Sequence, residues 1–360
     1  MAFLELRGLT KRFGSHTAIQ DITLDIAERE FVTFLGPSGC GKTTTLRLIA
    51  GFMAPDQGTI HVAGRALSAP SDVVPPEQRR MGMVFQNYAI WPHMTVLGNI
   101  AFGLRLARLP KREIASRVAR IVAAVGLEGL EDRHAAQLSG GQQQRIALAR
   151  SLVLEPSILM LDEPLSNLDA KLRERLRDEI KALQRRTGIT FIYVTHDQAE
   201  AMALSDRIAV FDRGRIEQVG VPRDIYDQPA NLFIADFMGQ VNRLPGRVVE
   251  QSAGLARVDV AGHVFRAVPS PGLASGAVKA TVAIRPEAIR IGPAHSNDEA
   301  NQFEGTVTQA TFLGNAMDYI VDIGGAILRV QGGPQDPHAA GDRACLTIPV
   351  RRCAAMPDAN

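Results

Sequence analysis

Residues 31–51, FVTFLGPSGCGKTTTLRLIAG, constrain this chain more than any other stretch. FVTFL is a short apolar run rich in β-branched and aromatic residues, which suits a buried strand. Gly36, Pro37, Ser38, Gly39, Cys40, Gly41, Lys42 and Thr43 then match G-x-x-x-x-G-K-[ST] without a gap. TTTLRLIA follows as a helix stopped by Gly51. Strand, glycine loop and helix together are the context in which this motif holds phosphate. Glycines let the backbone curl so that successive N–H groups point inward at phosphate oxygens. The helix N-terminus adds partial positive charge. Lys42 is expected to reach the β- and γ-phosphates, and the Thr43 hydroxyl to ligate Mg²⁺. A glycine turn that binds nothing is the bland alternative, and the flanking strand and helix argue against it.

A length of 360 residues suggests two domains. The net charge of +2 gives no overall field that would favour nucleic acid. The three cysteines, Cys40, Cys345 and Cys353, form no C-x-x-C pair, which favours a reducing compartment without structural disulfides or zinc. Glu5 and Arg7 stand where a signal peptide needs an apolar core. No stretch approaches about 18 apolar residues, so any membrane role is expected to go through a partner.

Residues 3–9 and 17–26 alternate as half-exposed strands do, with Phe13 between them; this ring either stacks on a base or simply packs in a core. RRMGMVFQ reads as a strand ending at Gln86. The stretch NYAIWPHMTVLGNIAFGL after it reads as apolar and irregular, with Pro92 opposing a regular helix or ladder. Its Trp91, the chain's single tryptophan, belongs either to the core or to a partner surface. Residues 111–125 form an amphipathic helix. Ser139 is an N-cap for a helix beginning near Gly140 or Gly141, a second N-terminus able to take an anion. SILMLDEP is a doubly buried strand ending in Asp162 and Glu163. Ligands sit beyond the carboxyl ends of such strands, and two adjacent carboxylates there call for positive charge nearby, which Mg²⁺–ATP supplies. A charged helix runs from Asp169 to Gly188, and TFIYVT is a buried strand with His196 just past its end. Beyond residue 240, short alternating strands between Gly, Pro and Asp turns read as a small β-barrel or sandwich.

These motifs, in this order, resemble the ATP-binding subunits of ABC transporters. GPSGCGKTT resembles the Walker A loop, LSGGQQQR the signature, ILMLDEP the Walker B strand and SNLD the D-loop. Gln86 is similar to the Q-loop glutamine, His196 to the switch histidine and Phe13 to the adenine-stacking aromatic. The tail, with IRPEAI at 284–289, is similar to the TOBE domain of import ATPases. The resemblance implies an α/β P-loop cassette over 1–240, with a helical subdomain at about 87–155, and an all-β, OB-like TOBE domain over 241–360. It further implies ATP hydrolysis by a homodimer of head-to-tail cassettes, with one ATP between each Walker A loop and the partner's signature helix.

In that arrangement Gly36, Pro37, Ser38, Gly39, Cys40, Gly41, Lys42, Thr43 and Thr44 hold the phosphates. Thr43, Gln86 and, through water, Asp162 place Mg²⁺. Glu163 polarises the attacking water, while Lys42 and His196 act on the γ-phosphate. Ser139, Gly140, Gly141 and Gln142 contact it from the other subunit. The resemblance also implies integral-membrane permease subunits, indirectly a solute-binding protein, and a peripheral position on the cytoplasmic face of the inner membrane, with no nucleic-acid partner. The segment Tyr88–Leu97 falls where a short cytoplasmic permease helix docks. The Q-loop neighbourhood YAIWPHMTV and the tail look closer to polyamine, iron or phosphonate importers than to maltose ones. A soluble ABC ATPase acting on nucleic acid or ribosomes is the alternative, but such proteins usually carry two cassettes or long coiled-coil arms. Cys40 lies beside a helix N-terminus and Lys42, both of which favour a thiolate, so alkylation there is expected to inhibit and ATP to protect; an inert small residue is the other reading.

Overall fold

The computed structural model describes residues 2–166, 168–252, 254–293, 299–335 and 338–358. The chain divides into two compact units, Met1–Pro222 and Arg223–Asn360. The boundary expected near residue 240 lies beyond the short helix Leu232–Phe237. That helix packs Leu232 and Ala235 against Ala283 and Met356 of the second unit.

The first unit is built on a six-stranded sheet in the order Arg215–Gly220, Arg207–Asp212, Phe31–Leu35, Thr190–Thr195, Ile158–Asp162, Met81–Val84. All neighbours are parallel except the antiparallel edge strand Arg215–Gly220. The three central strands FVTFL, ILMLD and TFIYVT are buried at every position. Parallel strands covered on both faces need this continuous apolar character. Rings cross the strands, Phe31 against Phe191 at 5.4 Å and Phe34 against Phe211 at 5.1 Å. Each fully buried side chain of this size stabilises the fold by roughly 1.5–3 kcal/mol. A second, antiparallel sheet of five strands, ordered His16–Ile26, Leu4–Phe13, Gln57–Val62, Arg65–Ala69, Asp72–Val73, covers one face.

The helix Lys42–Ala50 begins immediately after the glycine loop and ends at Gly51, whose φ of +84° is left-handed. The carbonyls freed at this end are taken up by one buried side chain. Arg79 Nη1 donates to Leu48 O and Ile49 O at 3.3 and 2.8 Å, Nη2 to Leu67 O and Ser68 Oγ at 2.9 and 2.7 Å, and Nε to Val74 O at 2.7 Å. A Cβ on residue 51 would lie 2.3 Å from Arg79 Nε, so the position has no room for a side chain. Burial pushes the Arg79 guanidinium down to about 10, which still leaves it charged at neutral pH.

Three helices, Val96–Leu106, Lys111–Val125 and Gly140–Leu152, form a separate helical region around their own apolar core. The first corrects the sequence reading, which took residues 87–104 as irregular. Thr95 caps this helix by accepting from Gly98 N at 3.0 Å. Gly98 and Gly103 weaken the local helical signal, but Gly103 lies under Leu154, whose methyls would meet a Cβ at 3.2 Å.

The second unit holds the small barrel expected of the tail, together with a separate five-stranded sheet. Asn242–Ser252, Leu255–Val260, His263–Pro269, Cys353–Met356 and Lys279–Ile284 close into a barrel. Arg290–Gly292, Arg343–Pro349, Ala300–Phe312, Met317–Asp322 and Ile327–Gly332 form a five-stranded sheet. One apolar core, with Phe265, Val307, Tyr319 and Leu346, serves both.

Replacing Arg79 by Met should leave helix-end carbonyls buried without donors, at about 1–3 kcal/mol for each group. We expect a marked fall in the urea midpoint of the first unit, whereas the exposed Arg65→Met should shift it little.

Candidate nucleotide site

The elements that the sequence singled out converge beyond the carboxyl ends of the central strands. A cavity of about 350 Å³ is lined by Phe13, His16, Ala18, Ser38, Gly39, Gly41, Lys42, Thr43, Thr44 and Glu163. Gly41 holds the loop in shape at φ +106°, and a Cβ there would strike Ile19 Cγ2 at 2.6 Å and Ala18 O at 2.7 Å. Lys42 is only 4% exposed, with Nζ donating to Gly36 O at 2.7 Å and Pro37 O at 2.8 Å. Phe13 is 51% exposed on the rim, with the Lys11 ammonium 5.9 Å from its ring. Of the two readings of Phe13, this placement supports the aromatic platform over core packing.

The Thr43 hydroxyl donates to Asp162 Oδ1 at 2.9 Å, joining the loop to the end of strand Ile158–Asp162. Burial pushes the Asp162 carboxyl up, and the Thr43 hydrogen bond works against that shift. Next to it, Glu163 has a left-handed backbone at φ +46°, a strained conformation for a residue with a side chain. Its N–H donates to Val194 O at 3.0 Å, which pins it to the neighbouring strand. Glu163 Oε2 lies 3.3 Å from His196 Nδ1 and 3.4 Å from Gln86 Nε2. Gln86 Nε2 is also 3.5 Å from Ser166 Oγ. Loop lysine, threonine and the two strand-end acids are therefore assembled with Gln86 and His196 around one place. Asn167, in the SNLD stretch, lies outside the described residues.

Ser139, Gly140, Gly141 and Gln142 do not line this cavity. They sit at the start of helix Gly140–Leu152, where Ser139 Oγ accepts from Gln142 N at 3.4 Å and Gln142 Oε1 from Ser139 N at 3.0 Å. This reciprocal cap fixes the turn and leaves Ser139 and Gly140 exposed.

One expectation needs correction. Cys40 is not poised as a thiolate: it is 4% exposed, and burial pushes its thiol up despite the opposing influence of Lys42. The apolar segment after Gln86 is irregular up to Thr95, as expected, and it is held in place by side chains. Tyr88 and Ala89 adopt left-handed backbone at φ +61° and +46°, and Arg150 donates to both carbonyls at 3.1 and 2.6 Å. The same guanidinium lies 4.8 Å above the Trp91 ring, which packs 4.4 Å from Phe102. Asn99, fully buried, accepts from Trp91 N and donates to Trp91 O at 2.9 and 3.0 Å. Sequence reasoning missed Arg150 and Asn99. The signal was present as one amide in the apolar run VLGNIAFGL and one arginine in an otherwise apolar helical stripe.

The family described as ABC transporter matches residues 19–166, and the TOBE domain family matches residues 282–356. A spermidine/putrescine import ATP-binding protein, PotA of Rubrobacter xylanophilus, is 49% identical over 347 residues, spanning 96% of this chain and 88% of that one. The chain belongs to the ABC transporter ATPases. The Fe(3+) ions import ATP-binding protein FbpC 1 of Pectobacterium atrosepticum is 45% identical over 350 residues, covering 96% and 95% of the two chains. Among solved structures, cbiO1 of Clostridium perfringens, part of the ABC transporter complex cbiONQ, is similar with a TM-score of 0.58 and 29% identity. That match covers 62% of this chain and 90% of the other. This ABC ATPase is of the import type and carries a TOBE domain. It binds ATP, its hydrolysis is coupled to transport, and subunits of this kind work with a membrane permease. A nucleic-acid or ribosome ATPase is not favoured by these relatives. Among the described residues, no helix is long and apolar enough to cross a membrane.

Burial orders the cysteines. Iodoacetamide should label Cys345, which is partly exposed, well before Cys40 or Cys353; burial pushes the Cys353 thiol up to about 12. Peptide mapping by mass spectrometry reads the order, and fast labelling of Cys40 would restore the reactive-thiol reading.

Proposed function

We propose that this ABC ATPase hydrolyses ATP at the Walker A cavity and works as a head-to-tail homodimer that energises import through a membrane permease. The observation that carries the reading is the hydrogen bond from Thr43 to Asp162, with Glu163, Gln86 and His196 gathered beside it. The loop amides of Gly36, Pro37, Ser38, Gly39, Cys40, Gly41, Lys42, Thr43 and Thr44 would cradle the phosphates, with Phe13 under the adenine. A hydroxyl, a carboxylate and an amide oxygen make a hard donor set that suits Mg²⁺. Among the described residues no cluster of three His, Cys, Asp or Glu side chains stands ready for a metal, so phosphate and water oxygens would complete the shell. Thr43 and Gln86 would hold Mg²⁺ directly and Asp162 through water; bound there, the ion offsets phosphate charge.

Glu163 orients and polarises the attacking water, Lys42 neutralises β- and γ-phosphate charge, and His196 donates toward the γ-phosphate. Positioning and charge are the main demands of phosphoryl transfer to water. The cap of Ser139, Gly140, Gly141 and Gln142, exposed at Ser139 and Gly140, would serve the other subunit's ATP, which accounts for its not lining its own cavity. The clamped segment Tyr88–Leu97, with the exposed Phe102 packed on Trp91, is the surface offered to the permease. We place the subunit peripherally, on the cytoplasmic face of the inner membrane, with a solute-binding protein upstream. Relatives named for spermidine/putrescine and for Fe(3+) support a small cation as the solute. The functional cassette extends to about residue 240, with the TOBE domain beyond.

Glu163→Gln keeps the shape of the side chain and leaves the phosphate contacts in place. It should bind ATP normally, hydrolyse it about 10²-fold or more slowly, and run as a stable dimer on size exclusion with ATP. Near-normal turnover would remove Glu163 from its role.

At the permease surface, Ile90→Asp should spare ATP binding yet abolish co-purification with the permease. Ile90 is half-buried against the helical core, so Met94→Asp is the milder companion. Intact association in both variants would make the segment ordinary core.

A further inference from the structure

The two groups that act on water and γ-phosphate in the reading above stand on different connections. Glu163 follows strand Ile158–Asp162, and His196 follows strand Thr190–Thr195. Neither side chain belongs to a regular element, yet their spacing, 3.3 Å from Oε2 to Nδ1, must hold if both are to meet one phosphate.

One side chain reaches both connections. Arg173 lies in the first turn of helix Ala170–Thr187. Its Nη2 donates to Leu168 O at 3.0 Å, and its Nη1 to Asp197 Oδ2 at 3.3 Å. Asp197 directly follows His196. The same carboxylate caps helix Gln198–Leu204 through Oδ1, which accepts from Glu200 N at 3.0 Å. The Asp197 N–H donates to Thr195 Oγ1 at 3.0 Å. On the other side, Ser166 Oγ donates to Glu163 O at 2.9 Å and Leu168 N to Leu165 O at 3.3 Å, so Leu168 O belongs to the turn that carries Glu163. Behind the guanidinium, Glu200 is buried and accepts from Tyr193 and Thr195 hydroxyls at 2.8 Å each. Arg173 Nε stands 3.8 Å from its second oxygen. Burial pushes the Glu200 carboxyl up, with those two hydroxyls opposing the shift.

From these contacts we infer that Arg173 is a positioning residue that sets the distance between Glu163 and His196 by tying both of their loops to one guanidinium. Only arginine suits the post. Its planar fork donates in several fixed directions at once, whereas a lysine ammonium could satisfy the carboxylate or the carbonyl but not hold both in plane. A displacement of about 1 Å at reacting groups can cost up to about 10²-fold in rate, so a modest loosening of this tie is visible in turnover.

The inference rests on the roles proposed for Glu163 and His196, and the test separates the two. Turnover, KM for ATP, ATP affinity and melting temperature are measured on the purified full chain. The variants are Glu163→Gln, Arg173→Lys, Asp197→Asn and the Arg173→Lys/Asp197→Asn double. Asparagine still caps a helix, so Asp197→Asn removes the charge facing Arg173 and preserves the fold should the arginine variant lose it. We expect kcat to fall about tenfold in each single variant, with KM and ATP affinity within about twofold, and the double variant to be no worse than the singles. Unchanged kcat with a lowered melting temperature would reduce Arg173 to a structural ion pair and overturn the inference, as would losses that multiply in the double variant. Normal turnover in Glu163→Gln would overturn the site assignment itself. A dead Glu163→Gln beside fully active Arg173→Lys and Asp197→Asn would overturn this inference alone.

Discussion

The geometry of this molecule depends on one close approach of backbone to backbone. At Gly41 the phosphate loop passes so near Ala18 and Ile19 that a single added carbon would overlap both. That contact sets the loop against the antiparallel sheet, starts the helix Lys42–Ala50 and turns the Thr43 hydroxyl to Asp162. The loop can be held there only because the strands behind it do not move. FVTFL, ILMLD and TFIYVT are buried along their whole length and joined by parallel ladders. A rigid hydrophobic floor thus carries a polar site whose side chains emerge from strand ends, loops and a helix start.

Arginines provide a second kind of rigidity. Arg79 gathers the carbonyls where the phosphate helix ends, Arg150 gathers those of Tyr88 and Ala89, and Arg173 joins Leu168 to Asp197. Each side chain supplies donors to main-chain carbonyls in turns or at the ends of regular elements, Ile49, Ala89 and Leu168 among them. Buried carbonyls without donors are costly, so irregular backbone persists in the interior only where such a side chain reaches it. Left-handed Tyr88 and Ala89 lie under the Arg150 clamp, and left-handed Glu163 is bonded to a neighbouring strand.

This division explains what could be read from the sequence. The strand–loop–helix at 31–51, the amphipathic helix at 111–125 and the alternating strands of the tail follow from local periodicity and turn residues, and they were legible. The gathering of Thr43, Asp162, Glu163 and His196 at one edge was legible too, because parallel strands present their carboxyl ends together. The helix Val96–Leu106 was hidden, since Gly98, Gly103 and β-branched residues lower its local propensity while its stability comes from burying Ile100, Ala101 and Leu104. Cys40 was misjudged for a related reason. The neighbouring charge is visible along the chain, but the burial that outweighs it is a property of the fold. The pairings of Arg79, Arg150 and Arg173 bridge residues distant in sequence or strands that only the fold brings together, and no spacing rule announces them.

The clamp on Tyr88 to Trp91 has a consequence for association. A flexible loop offered to a partner must lose its freedom when the complex forms, and that loss weakens binding. Here the two left-handed residues, the Asn99 amide and the Arg150 guanidinium fix the segment in advance. A partner docking on it meets a surface already frozen in shape, so little conformational entropy remains to be surrendered.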